Sequence, residues 1–505
     1  MNSRQTGFLL SACLMCWCGF VSAQQTSTPV IPPDAKATAQ GQAWTKIPIS
    51  PLHPFHPEQP LRIQLKNGLV ILLAPDHELP FINGGITIRG GARDVPADKA
   101  GMVDLYAGTW RTSGTATMSG DKLDDLLEAR AAKVETGGGL DSTFLMWSCL
   151  KTDEERVFQL AADLLEHPQF NQQKLVLAKQ RATTIISRRN DNAAAIAQRE
   201  ASQLVYGQDS PYARQPEIST VSSVTTDDLK AWHDKAVHPN NMIVTVEGDF
   251  DPAVMEKALR KVFEALPRGP DWPKAKPEFR GPKPGVYSVN KSDVNQSNVW
   301  IVGLGTEQSN PDYYALSVMN QIFAGGFGSR LFQDVRTKQG LAYSVAGAYG
   351  FAYDHPGMFY ASTSTKSEST VKATQAILNQ ITLLRTKPFT DAELTSAKDQ
   401  LLSSFIFHYD TQQKVLMEAR LLEFYGYPAD FLEKYRQGVE SVTLTDLDRV
   451  ARKYIEPSKL AVLIVGNESQ YGDSLTDLKL GPARPIDITI PMPATATQQN
   501  HSATQ

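Results

Sequence analysis

The sequence is short of the residues that staple a chain or fix a metal. Cysteine occurs four times in 505 residues, and Cys13, Cys16 and Cys18 all precede residue 23. Once that stretch is removed Cys149 stands alone, so neither an internal disulfide nor a cysteine metal cluster can form. Cys149 lies in the apolar run Phe144-Leu145-Met146-Trp147-Ser148-Cys149-Leu150. That context marks a buried structural thiol rather than a nucleophile. The nine histidines include no pair four residues apart, which excludes the usual helical zinc pair. His53 and His56 are three apart among prolines and read as incidental. Charge of one sign is not in excess: 50 basic residues stand against 54 acidic ones, with no basic block. Nothing in that balance points to nucleic acid. Beyond residue 23 no apolar run reaches spanning length, so no transmembrane segment is expected in the mature chain. A Gly-x-Ser-x-Gly elbow and a reactive-cysteine context are also missing, which makes a self-sufficient hydrolase the weakest functional reading.

What is present begins with an export signal. Arg4 is the only charge before an apolar stretch from Phe8 to Phe20, and Val21-Ser22-Ala23 supplies small residues for cleavage. Residues 1–23 therefore read as a signal peptide cut near Ala23, which predicts a periplasmic or secreted protein. Reading Leu10-Ser11-Ala12-Cys13 as a lipid-attachment box is disfavoured, because almost no apolar region would precede Cys13.

Residues 24–58 are rich in Gln, Thr, Pro and Ala and read as an extended leader, and residues 485–505 as a disordered tail. Pro267, Pro270, Pro273, Pro277, Pro282 and Pro284 mark residues 267–284 as a semi-rigid linker. It separates two halves, 59–266 and 285–484, that repeat each other. Thr226-Asp227-Asp228-Leu229 opens a helix pattern ending at Pro239, followed by the strand Met242–Val246 and Gly248. Thr445-Asp446-Leu447 opens another ending at Pro457, followed by the strand Leu460–Val465 and Gly466. The two copies lie 218 residues apart with identical internal spacing. Phe170, Leu175, Ala178 and Lys179 match Phe389, Leu394, Ala397 and Lys398 at 219. This is a duplicated domain.

Within each copy, strand-like runs (69–74, 84–89, 297–302) accompany helical periodicity (157–165, 172–187, 313–323). The expected fold is α+β, two homologous domains, each a mostly antiparallel sheet with helices packed on one face.

Two segments resemble the insulinase-like (pitrilysin) zinc-peptidase family. The first is Gly90-Gly91-Ala92-Arg93-Asp94 with Lys99-Ala100-Gly101-Met102-Val103, similar to the entry of the family's zinc helix. That helix needs His-x-x-Glu-His, two imidazoles on one face to grip zinc and a glutamate as general base. Here the run is Asp104-Leu105-Tyr106-Ala107-Gly108. Asp104 and Gly108 stand where the histidines would be and Ala107 where the base would be. The family's third ligand position falls at Ile185. The resemblance thus implies a degenerate site that holds no metal, and Asp104 reads as an ordinary helix aspartate.

The second segment runs from Gly325-Gly326-Phe327-Gly328-Ser329-Arg330 through Arg336 to Gly340-Leu341-Ala342-Tyr343-Ser344-Val345. It resembles the family's second-domain motif, in which an arginine and a tyrosine seven residues apart hold substrate beside a zinc site. Read alone, Arg336 suits a surface helix and Tyr343 a core strand. The resemblance implies that both bind substrate. It covers Phe55 to about Pro482 and implies a half clam-shell, with no cofactor in this chain and zinc in a homologous partner subunit. The expected function is a non-catalytic subunit of a periplasmic zinc metalloendopeptidase acting on unfolded peptide, with substrate added as a strand to a sheet edge. The alternative is a peptide-binding or structural assembly protein of the same fold.

Overall fold

Two sheets organise the chain, each assembled from the runs that the sequence marks as apolar. The structure is a computed structural model that describes residues 57–274 and 277–492. The signal peptide, the lipid-box reading at Cys13, the leader up to residue 56 with His53 and His56, and residues 493–505 lie outside the described residues.

The first sheet comprises β1 (Leu61–Gln64), β2 (Val70–Pro75), β3 (Phe81–Arg89), β4 (Lys133–Gly138), β5 (Ser142–Leu150) and β6 (Met242–Gly248), in the order β1-β2-β6-β3-β5-β4. Every pair is antiparallel except β2 and β6. Its helices are α1 (Met102–Trp110), α2 (Gly120–Glu128), α3 (Glu154–Glu166), α4 (Gln172–Ser187), α5 (Ala193–Tyr206), α6 (Ile218–Ser223), α7 (Thr226–Ala236) and α8 (Pro252–Phe263).

The second half repeats this plan. Its strands are β7 (Gly285–Asn290), β8 (Gln296–Leu304), β9 (Thr306–Glu307), β10 (Ser344–Ala352), β11 (Pro356–Lys366), β12 (Ala461–Gly466) and β13 (Arg484–Pro485), in the order β13-β7-β12-β8-β11-β10-β9. The helices are α9 (Tyr313–Ala324), α10 (Thr370–Thr386), α11 (Asp391–Phe405), α12 (Gln412–Tyr425), α13 (Phe431–Ser441) and α14 (Leu444–Tyr454).

The duplication shows in local chemistry. Thr225 caps α7 and Thr443 caps α14, each closing a capping box with an aspartate, Asp228 or Asp446. Such reciprocal bonds satisfy backbone groups that a helix start leaves orphaned. A proline-led turn and a central buried strand follow in both copies.

The pleat explains why the central strands are apolar throughout. Ile71 and Leu73 enter the core under the first half's own helices, while Val70, Leu72 and Ala74 face the opposite side. That second face is covered by Leu416 and Phe424 of α12, a helix of the second half. The reverse also holds: α5, from the first half, lays Ile196, Ala197, Ala201 and Val205 on Ala461, Leu463 and Val465 of β12. Fully burying residues such as Ile196 and Val205 is worth roughly 1.5–3 kcal/mol each. The two exchanged helices are built alike, with Asn192 and Thr411 as N-caps and Gly207 (φ 95°) and Gly426 (φ 76°) as stops. Each sheet thus has its own helices on one face, as expected, plus one borrowed helix on the other. Helical periodicity reports that α5 has an apolar face; it does not report which sheet receives it.

Two connecting segments are better ordered than their composition suggests. In the proline-rich linker, Asn240 accepts from Gly269 N and donates to Gly269 O, and Trp272 stacks edge-on with Trp232 at 5.9 Å. The tail expected to be disordered from Pro485 continues in place to Met492. There Ile486 N donates to Ser288 O, Asn190 Nδ2 donates to Ile488 O, and Ile490 reaches the first core. Isoleucine at every second position gives that segment a strand-like apolar edge.

Candidate functional site

The helix that would carry zinc is held rigidly on its inner side. Tyr106 OH donates to His233 Nδ1 at 2.8 Å, and His233 Nε2 donates to Leu165 O at 2.8 Å. Because a carbonyl can only accept, the proton sits on Nε2. Burial holds this imidazole below its ordinary pKa, which favours the neutral ring. Trp110 Nε1 donates to Leu164 O, and Trp110 and Tyr106 stack at 5.2 Å.

The outer side of α1 carries the degenerate positions. Asp104 and Gly108 are exposed, whereas Ala107 is buried beside β4, where its carbonyl accepts from Thr136 Oγ1 at 2.7 Å. Gly138 of β4 lets α1 approach, since a Cβ there would lie 2.4 Å from Val103. Helix α1 packs on α4, whose Ile185 is 71% exposed. The residues present do not suit zinc. Gly108 and Ala107 offer no donor, Ile185 offers hydrocarbon, and a single carboxylate is no site. The Asp104 carboxyl makes no hydrogen bond with any described residue, and desolvation in the cleft beside α5 raises its pKa. Among the described residues, no group of three or more His, Cys, Asp or Glu could hold a metal ion. Cys149 is fully buried, its thiol pushed up to about 12 by burial, so it is inert.

The second segment separates its two arginines. Arg330 is buried and grips Glu393 with two bonds of 2.7 and 2.8 Å, adding Pro388 O at 3.0 Å. Arg336, on a short π-helix (332–338), is exposed and rests over the Phe332 ring at 5.0 Å. Phe332 in turn meets the exposed Phe327 edge-on at 4.9 Å. Tyr343 is 77% exposed although its backbone N–H pairs with Ser364 O at 2.9 Å. Of the readings open at 343, the core strand is therefore wrong: the residue leads into β10 at the end that β9 leaves unpaired, so it lies at an edge with its ring in solvent. Neither Arg336 nor Tyr343 makes a side-chain hydrogen bond or ion pair among the described residues. Gly340 (φ 64°) closes the turn between them by donating to Arg336 O at 3.2 Å. Sequence reading passed over Phe327 and Phe332; an aromatic between glycines, too exposed for a core, was the available signal.

A family profile described as "Peptidase M16 inactive domain" matches residues 223–401. The chain is 23% identical over 406 residues to a Helicobacter pylori protein named "Non-peptidase homolog YmxG", covering 79% of this chain and 92% of that one. It is 24% identical over 359 residues to an "Uncharacterized zinc protease" of Rickettsia felis, covering 70% and 84%. Among solved structures, a peptidase M16 inactive domain from Pseudomonas fluorescens superposes with TM-score 0.70 at 22% identity, covering 81% of this chain and 98% of that one. A Helicobacter pylori protease gives TM-score 0.69 at 19% identity. These likenesses support the fold across most of the chain. The absence of zinc ligands is read from this chain's own residues.

Proposed function

We propose that this M16-family chain, an inactive member of the insulinase-like peptidases, is the non-catalytic subunit of a two-chain zinc endopeptidase. The observation that carries the reading is the Arg336–Tyr343 pair. Two strong donors stand unpartnered in solvent on a scaffold whose own zinc positions hold Asp104, Ala107, Gly108 and Ile185. A guanidinium and a phenol are suited to hold a peptide backbone and to donate to a developing oxyanion. Among the described residues no metal-ligating cluster accompanies them. In this reading a homologous partner brings the zinc, this chain brings the donors, and both enclose an unfolded peptide. In the same reading residues 1–23 are an export signal, and the pair works in the periplasm or outside the cell. Edge strand β4 beside α1 is suited to receive the peptide as an added strand.

The test mixes this chain with a zinc-motif homologue. Neither should cleave an unfolded fluorogenic peptide well, and the mixture should. R336A and Y343F should remove turnover from the mixture while the two chains still co-elute. If the double variant keeps full turnover, the alternative of an assembly or peptide-binding protein of the same fold is favoured instead.

A further inference from the structure

Where the two halves and the linker meet, the chain encloses a cavity of about 380 Å³. Arg89, the last residue of β3, lines it from the first half, Trp272 from the linker, and Phe424 and Tyr425 from the end of α12. The carboxylates around Arg89 already have partners, and Arg93 and the exposed Lys274 add two further cations to the lining. Glu423 gives both oxygens to Arg62, and Asp141 accepts from Tyr425 OH. Asp354 is taken by Arg93 and His355, Asp271 by Arg268 and Asn240, and Glu307 by Ser309. Arg89 makes no hydrogen bond or ion pair with any described residue; its guanidinium lies over the Phe424 ring at 4.5 Å. Burial lowers its pKa despite Glu423, Tyr425 and Asp141 nearby.

Asn241 forms part of the same lining. Asn241 is 2% exposed, and its Oδ1 accepts from Trp272 N at 3.1 Å, which fixes the amide's orientation. Its Nδ2 is buried with no partner. That amide nitrogen is sealed from solvent, so Asn241 shapes the wall without offering a donor to an occupant, and Arg89 is the lining group that calls for an acceptor.

We propose that this seam cavity binds a small organic monocarboxylate, received by Arg89, with its apolar body against Trp272, Phe424 and Tyr425. A planar carboxylate matches the guanidinium fork. The surrounding Asp141, Asp271, Glu307 and Asp354 disfavour a dianion such as a phosphate ester. Aromatic walls with a few placed donors are the usual make-up of a small-molecule site of this size. Because the walls come from both halves and the linker, an occupant would tie the three together and raise the melting temperature. This does not depend on the pairing proposed above.

The experiment titrates the full chain with 3-phenylpropionate, its neutral amide and phenyl phosphate, by calorimetry and Trp fluorescence. The acid should bind saturably with one site per chain and raise Tm. The amide should bind at least about tenfold more weakly, because it forfeits a charge-assisted bond to Arg89. Phenyl phosphate should also bind more weakly, and R89M should lose the preference for acid over amide. Saturable binding of acid and amide with equal affinity would overturn the proposal, as would no saturable binding of the acid or tighter binding of phenyl phosphate. Should R89M fail to fold by circular dichroism, the acid-to-amide ratio on the unaltered chain decides the matter.

Discussion

Lys179 and Lys398 lie 219 residues apart and make one and the same contact. Lys179 Nζ donates to Ser222 O of α6 at 2.8 Å, and Lys398 Nζ donates to Glu440 O of α13 at 2.8 Å. Each clips a long helix of its half, α4 or α11, to the helix two further on, at a carbonyl that the helix end leaves orphaned. K179M and K398M should each cost about 1 kcal/mol, the ordinary net worth of one hydrogen bond. Similar shifts in denaturant midpoint for the two are the check; a loss at only one site would mean that the copies have diverged there.

Arg330 and Arg336 stand six residues apart and should behave as opposites. Truncating Arg330 strands the partly buried Glu393 and should cost about 3 kcal/mol, the low end for breaking a buried pair from one side. Truncating Arg336 removes only its contact over an exposed ring and should change stability by less than about 0.5 kcal/mol. Urea melts of R330A and R336A test this directly.

The same pair sets an acid limb. The Arg330 bond, with help from the Thr390 cap, holds the Glu393 carboxyl down at about 2. Since the folded pKa lies below the unfolded one, the group contributes stability at neutral pH. That contribution fades as pH falls from the ordinary carboxylate range toward 2. In E393Q, stability should be lower at pH 7 and should fall less between pH 5 and pH 3. An unchanged slope would remove Glu393 from the account of acid unfolding.

How much of this was legible beforehand depends on range. The strands, the helices and the repeat follow from local pattern: the capping threonines and the Leu-to-Pro-to-Gly spacing sit within a few turns of one another. The exchange of α5 and α12 does not, because Ile196 and Val205 would look the same under either sheet. The emptiness of the zinc positions could be read directly, since Gly108 and Ile185 have no ligating atom in any fold. Whether Tyr343 faces core or water could not. Alternation gives a strand two faces and leaves unmarked that this one lies at an edge.

The exchange itself makes a strong prediction. Residues 59–266 alone would leave Val70, Leu72 and Ile243 uncovered and would carry α5 with its apolar face bare; residues 285–484 alone would bare β12 and α12. Apolar surfaces of that kind drive aggregation. Each half expressed separately should be insoluble, and co-expression should recover a complex that elutes with the intact chain. Two soluble monomeric halves would mean that the borrowed helices are dispensable.

At Gly108 a Cβ meets nothing within 4 Å and φ is not in the left-handed region, so G108A should stabilise α1 by about 0.5–1 kcal/mol. Because positions 104, 108 and 185 are all exposed and α1 packs on α4, D104H/G108H/I185E should fold and take up one zinc per chain, measured by elemental analysis after dialysis. It should still not hydrolyse peptide, for want of a base. Supplying the base with A107E is the costly step. Ala107 is 6% exposed with its carbonyl held by Thr136, so a carboxylate there must push α1 off β4 or be buried unpaired. The threefold variant should therefore melt near the parent and the fourfold variant well below it. On this geometry the obstacle to recovering activity is the packing of Ala107 against the edge strand, more than the missing ligands.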